Sequence, residues 1–206
     1  AVLDEVYRET HCHIYGIDIN FNHLQVAKTH IHSAGIIQGD GLSLPILSGS
    51  FDLVFCHYYL LWVSDPAAAL REMVRVTCNG GFVAALAEPD YGGRIDHPPA
   101  LMEIGRLQEI ALQKQGADTI LGRRLKGLFH QSGLSSVHVG LLGGEWNAPP
   151  SSQEWESEWD MLRHDLQDSI DPATLRQYRN LDAIAWQTQE RILFVPTFYA
   201  WGRVDK

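Results

Sequence analysis

Four short apolar runs, each closed by a polar residue, constrain this chain more than any other feature. HIYGID ends at Asp18, IIQGD at Asp40, FDLVFCH at His57 and FVAALAE at Glu88. Between them lie segments with helical spacing. FNHLQVAKTHIHSAG spreads Leu24, Val26, Ala27 and Ile31 along a buried side, and SDPAAALREMVRVTCNGG reads as a helix with Ser64 or Asp65 as cap, Pro66 at the first helical position and a glycine stop. Strands that are apolar throughout and alternate with helices form a parallel sheet covered on both faces. Ligands of such sheets bind beyond the carboxyl ends of the strands, so Asp18, Asp40, His57 and Glu88 are expected on one rim.

The rest of the chain follows a different rhythm. VLDEVYRE opens it, with Leu3, Val6 and Tyr7 on one helical face. After PDYGGRIDHPP, helices are expected around LMEIGRLQEIALQKQ and ILGRRLKGLFHQSG, then a strand at SSVHVGLLGG. EWNAPPSSQEWESEWDML carries Trp146, Trp155 and Trp159 in a loop running into a helix that packs over the rim. RILFVPTFYAWGRV is expected as a last strand, which Pro196 demotes to an edge or bulged position.

At 206 residues, with 45% hydrophobic and 20% charged residues, the chain suits one globular α/β domain. The net charge of −9 argues against a general nucleic-acid or anionic-membrane surface, since both require clustered Lys and Arg. Cys12, Cys56 and Cys78 show neither C-x-x-C spacing nor a disulfide framework, which predicts a reducing, cytoplasmic setting. No uncharged apolar run approaches a membrane span. HCH at 11–13 and HIH at 30–32 put two histidines on one strand face without completing a four-ligand set, so no metal site is expected.

Taken in order, GIDIN, QGDGLSLP, SFDLVFCHYYLLWVSDPAAALREMVRVTCNGGFVAALAEP and GRRLKGLFHQSGL resemble a class I S-adenosylmethionine-dependent methyltransferase of the small soluble type. The resemblance implies a Rossmann-like, doubly wound, mostly parallel α/β sheet of the seven-stranded methyltransferase type. It also implies one domain over 1–206, with a cofactor-binding half at 1–97 and helices, last strands and a substrate cover at 98–206. By motif position Asp18 would hold both ribose hydroxyls of S-adenosyl-L-methionine and Ile19 would lie against the adenine. Asp40 would accept from the adenine amino group, with the Gly41 and Leu42 backbone beside the ring, and His57 would stand near the sulfonium and amino acid end. Two acceptor oxygens let one carboxylate take two vicinal hydroxyl donors.

The implied function is methyl transfer to a small-molecule acceptor, with the acceptor site expected near Tyr58, Glu88, Tyr91 and Arg94, and with Glu88 or His57 as base for a hydroxyl or amine. Arg94 hints at an acidic acceptor or at pairing with Asp90 or Asp96. The alternatives are a non-catalytic binding or scaffold module on the same fold and, less favoured, a nicotinamide-dependent dehydrogenase. None of the seven tyrosines has a lysine four residues later, the pairing of short-chain dehydrogenases. In the resembled family a first strand and a G-x-G-x-G turn precede the first helix, and that strand lies mid-sheet between those ending at Asp18 and His57. Neither is present from Ala1 onward. The expectation is that residues before Ala1 supply them, and that the strands at 13–18 and 52–57 do not pair with each other.

Overall fold

Local rules account for most element boundaries in the computed structural model, which describes residues 2–30, 34–146 and 148–206. The first half runs α1 (Val2–Thr10), β1 (Tyr15–Asp18), α2 (Phe21–His30), β2 (Gly35–Gln38), β3 (Phe51–Cys56), α3 (Pro66–Val76) and β4 (Thr77–Pro89). Asp65 caps α3 by accepting the Ala68 N–H at 2.8 Å, with Pro66 at the first helical position. The helix stops four residues before the expected glycines, and the chain enters β4 directly, with the Thr77 hydroxyl donating to the Met73 carbonyl at 2.7 Å. Gly80, at φ +82°, and Gly81 serve the sheet instead. A Cβ at Gly81 would lie 2.7 Å from the Asp52 carbonyl oxygen, where the β3–β4 register shifts between Phe51 and Leu53.

The second half comprises β5 (Ile95–His97), α4 (Met102–Lys114), α5 (Leu121–Gln131), β6 (Leu134–Leu142), α6 (Ser152–Leu166), α7 (Pro172–Gln187), β7 (Ile192–Phe194) and β8 (Thr197–Val204). Ser151 and Glu154 form a reciprocal capping box on α6, and Asp171 caps α7 ahead of Pro172. The expected single last strand is two strands. Pro196 sits between β7 and β8, so its missing N–H removes no ladder bond, and β8 is interior, paired antiparallel to both β4 and β6.

The strand order is β3-β4-β8-β6 in one sheet and β1-β2 in another, with β5 and β7 as an antiparallel pair. β1–β2 and β3–β4 are parallel. Among the described residues β1 pairs only with β2 and β3 only with β4, so the strands ending at Asp18 and Cys56 do not pair with each other. The main core gathers Leu60, Leu70, Met73, Val83, Leu121, Leu125, Phe129 and Ala200 from the segment after β3, α3, α5 and the four-stranded sheet. A second core joins Ile104, Ala111, Trp159, Leu162 and Leu166. Around β1 and α2 the buried apolar residues are Ile14 and Leu24. Val26, expected inside, is exposed because this part of the sheet receives little cover. Ile31 and most of HIH 30–32 lie outside the described residues.

Candidate functional site

The carboxyl ends of β1 and β2 bring Asp18 and Asp40 to neighbouring positions. Gly39 N–H donates to the Asp18 carbonyl at 3.1 Å, and the Gln38 side-chain amide donates to the Ile19 carbonyl at 3.1 Å. Asp18 Oδ1 accepts the Asn20 N–H at 2.7 Å, and its Oδ2 lies 3.5 Å from His23 Nδ1. Asn20 then takes up the Asn22 N–H at 2.9 Å. Asp18 thus shapes the turn with one oxygen and leaves the other toward solvent and an exposed histidine. Beside it Ile19 is 66% exposed, a large apolar side chain in the open next to a carboxylate.

Asp40 Oδ1 accepts the Leu42 N–H at 2.9 Å, and its carbonyl accepts the Ser43 N–H at 3.0 Å. This turn places Gly41 so close to the Tyr59 hydroxyl that any side chain there would collide with it. Leu42 packs against the main core. Burial, followed by the nearby Cys56 and Asp40, pushes the Tyr59 hydroxyl up to about 12. Tyr59 therefore links the Asp40 turn to the segment following β3.

That segment is held by an acid whose part differs from the expected one. Glu88 is fully buried; Oε1 accepts the N–H groups of Tyr59 and Leu60, each at 3.0 Å, and Oε2 accepts that of Leu61 at 3.2 Å. Burial raises its pKa, and these N–H bonds pull it down without cancelling the burial. Glu88 consequently does not face an acceptor at the rim, and it fixes the backbone that turns the previous residues outward. Tyr58 has φ +50°, an uncommon conformation for tyrosine, and its N–H donates to the Ala87 carbonyl at 2.9 Å. His57 lies edge-on to Tyr58 with ring centroids 4.8 Å apart, and partial burial lowers its pKa.

Arg94 also departs from the expectation of an acidic acceptor. Its Nε and Nη2 donate to Asp96 at 2.6 and 3.3 Å, and its Nη1 donates to Gln108 at 2.5 Å. The pairing alternative holds, with Asp96 as partner. Asp90 instead takes a bidentate grip from Arg123 at 2.5 and 2.6 Å. Tyr91 is half-buried, and burial pushes its hydroxyl up to about 12, with Tyr58, Asp165 and Glu158 adding to the effect. A cavity of about 420 Å³ is lined by Arg94, Trp146, Trp155, Glu158, Trp159 and Trp186 among others.

Sequence reading missed the frame of that cavity. Asp182 of α7 is buried; its Oδ2 accepts from the indole N–H groups of Trp155 at 2.6 Å and Trp159 at 3.1 Å, and its Oδ1 accepts from Arg191 Nε at 2.6 Å. Arg191 Nη2 reaches Asp96 at 2.9 Å. The one available signal was an acid and an arginine nine positions apart around an apolar helix end, which has no family meaning. Trp155 and Trp159 both pack and line the cavity. No group of three or more metal-ligating side chains is found among the described residues.

Parallel strands with acids at their carboxyl ends are the arrangement of an α/β sheet of the nucleotide-binding type. A family profile for the methyltransferase domain matches residues 2–85. The chain is 34% identical over 90 residues to the demethylmenaquinone methyltransferase of Renibacterium salmoninarum, covering 43% of this chain and 38% of that protein. It is 29% identical over 142 residues to the demethylmenaquinone methyltransferase of Bacillus pumilus, covering 60% of this chain and 61% of that protein. Among solved structures, phosphoethanolamine N-methyltransferase 2 of Haemonchus contortus, in complex with phosphomonomethylethanolamine and S-adenosylhomocysteine, superposes with a TM-score of 0.60 at 12% identity, over 98% of this chain and 46% of that one. The chain thus spans about two fifths to three fifths of the length of these two curated relatives. Residues 2–85 thus match a methyltransferase domain, and the chain shares the fold of a solved methyltransferase.

Proposed function

We propose that the chain transfers a methyl group from S-adenosyl-L-methionine to a small-molecule acceptor. The observation that carries this reading is the placement of Asp18 and Asp40 on tied, adjacent parallel strand ends with Ile19 exposed beside them. The donor set fits the cofactor. Asp18 offers a carboxylate oxygen with no closer partner than His23 for a ribose diol, Asp40 offers an exposed acceptor for an amino group, Ile19 offers an apolar face, and the Gly41–Leu42 backbone lies alongside. His57, whose pKa is lowered by partial burial, belongs to the end near the sulfonium. When bound, the cofactor supplies a methyl carbon already activated by positive sulfur. The chain's own residues then have to align the acceptor and exclude water, a task for Tyr58 and Tyr91 just beyond the ends of β3 and β4.

The curated relatives are named for demethylmenaquinone, which makes a small organic acceptor the natural expectation. Unpaired thiols at Cys12, Cys56 and Cys78 fit a reducing cytoplasm. Among the described residues no helix is long and apolar enough to cross a membrane. Calorimetric titration with S-adenosylmethionine, S-adenosylhomocysteine and NAD tests the reading. Binding of the first two and not the third is expected; binding of NAD alone overturns it. Screening metabolites with labelled cofactor separates an enzyme from a binding module.

A further inference from the structure

We infer that the tryptophan-lined cavity beneath α6 and α7 binds a small organic cation of the alkylammonium class, with Glu158 as its counter-charge. The inference deepens the methyl-transfer reading by naming a ligand class for the space beside its rim, and it rests on that reading for the ligand's role.

The cavity's positive side chains are already committed. Arg94 gives three N–H groups to Asp96 and Gln108. Arg191 gives Nε to Asp182, Nη1 to the carbonyls of His97 and Ile192, and Nη2 to Asp96. Side chains so bound to internal acceptors leave little for an anionic ligand. The carboxylates are less evenly balanced. Glu145, Glu154, Glu158 and Asp182 line the space against these two arginines. Asp182 is matched by Arg191 and the two indoles, and Glu154 serves the α6 cap. Glu158 lines the cavity near Arg94, Asp182, Arg191 and Asp96, both arginines being bound to other acceptors, and burial raises its pKa. A cation entering the cavity would supply compensating positive charge.

The walls suit the same ligand. Trp146, Trp155, Trp159 and Trp186 contribute four indoles to one space of about 420 Å³, within the size range of small-molecule pockets. Aromatic faces attract cations through the ring quadrupole, and Trp155 already has the Arg179 guanidinium 4.6 Å from its ring centre. The indole orientations are fixed, because Trp155 and Trp159 are anchored on Asp182 and Trp146 donates to the Leu193 carbonyl at 3.1 Å.

The test uses choline and its uncharged carbon isostere, 3,3-dimethylbutan-1-ol, each titrated into the full chain with and without S-adenosylhomocysteine and followed by tryptophan fluorescence and calorimetry. Choline is expected to bind at least tenfold more tightly than the isostere. Glu158→Gln should remove about tenfold of that preference, Trp186→Leu should weaken choline as well, and neither should change S-adenosylhomocysteine affinity. Equal binding of the two probes, or binding of a naphthoquinone with no binding of choline, overturns the inference while leaving the cofactor reading intact. Choline binding that persists where S-adenosylhomocysteine fails to bind upholds the cation site and removes the methyl-transfer reading.

Discussion

Glu88→Ala separates a structural role from a chemical one. The substitution removes the acceptor for three N–H groups, two of them on the fully buried Leu60 and Leu61. A buried donor left unsatisfied costs about 1–3 kcal/mol. Donors on consecutive residues relax together, so a loss of about 3–5 kcal/mol is expected. At roughly 2–4 °C per kcal/mol for a domain of this size, Tm should fall by about 6–20 °C. Glu88→Gln keeps one carbonyl oxygen for Tyr59 and Leu60 and sets an amide donor against the Leu61 N–H, so its loss should be smaller.

The pH dependence follows from burial, which raises the folded-state pKa of Glu88 above its ordinary 4.5. The increment of stability that comes from this raised pKa is therefore fully present below the unfolded value and is lost as pH rises through the folded one. Thermal unfolding of wild type and Glu88→Gln should accordingly differ more near pH 4 than near pH 7. An unchanged Tm in Glu88→Ala together with lost methyl transfer would refute this reasoning and return Glu88 to the acceptor site.

Asp18→Ala should weaken S-adenosylmethionine by about 1.5–3 kcal/mol, roughly 10–150-fold, because two hydroxyls lose a charged acceptor; unchanged calorimetric affinity would sink the ribose assignment. Asp40→Ala should cost less in the same titration, since one neutral amino donor is at stake. Gly122→Ala places a Cβ 2.6 Å from Phe198 and 2.7 Å from the Glu88 carbonyl oxygen, so a stability loss of about 1–3 kcal/mol is expected, measured by denaturant unfolding, with cofactor affinity retained. Amides of β1 and β2 should exchange with solvent faster than those of β4 and β8 and slow when S-adenosylhomocysteine is added; equal protection without ligand would contradict the sparse burial around β1.

The order of apolar runs was enough to anticipate the sheet and its rim, because period and end residues are local properties. Asp18, Asp40 and His57 fall at strand ends for that reason, and Asp65 with Pro66 marks a helix start from sequence alone. The errors have a common cause in tertiary pairing. Gly80 and Gly81 read as a helix stop, but a strand pairing with β3 claims them. Pro196 reads as a sign of an edge strand, yet it falls just outside a central one. Glu88 reads as a rim acid because it ends an apolar strand, and only the fold shows that its oxygens face the N–H groups of residues 59 to 61. Asp182 was illegible, since its indole and guanidinium partners come from positions 155, 159 and 191, and no local spacing relates them.

The two halves of the candidate site are held by different physics, and this bears on how they work together. The cavity side rests on buried ion pairs and indole hydrogen bonds converging on Asp182 and Asp96, an arrangement in which each polar group depends on its neighbours. The cofactor side rests on β1, α2 and β2, where Ile14 and Leu24 are the buried apolar residues and where neither β1 nor β3 has a second strand partner among the described residues. Backbone donors and acceptors along those two edges must find other partners, so the unit carrying Asp18 and Asp40 gains less from its sheet than β4 or β8 does. Tyr59 beside Gly41, the ring contact of Tyr15 with Phe51, at 5.8 Å between centroids, and Leu42 against the main core are among the ties across this division. A ligand bridging Asp18 and Asp40 to Tyr58 and Tyr91 would add contacts where the fold itself has few, so cofactor binding and the ordering of this side of the sheet should be energetically coupled.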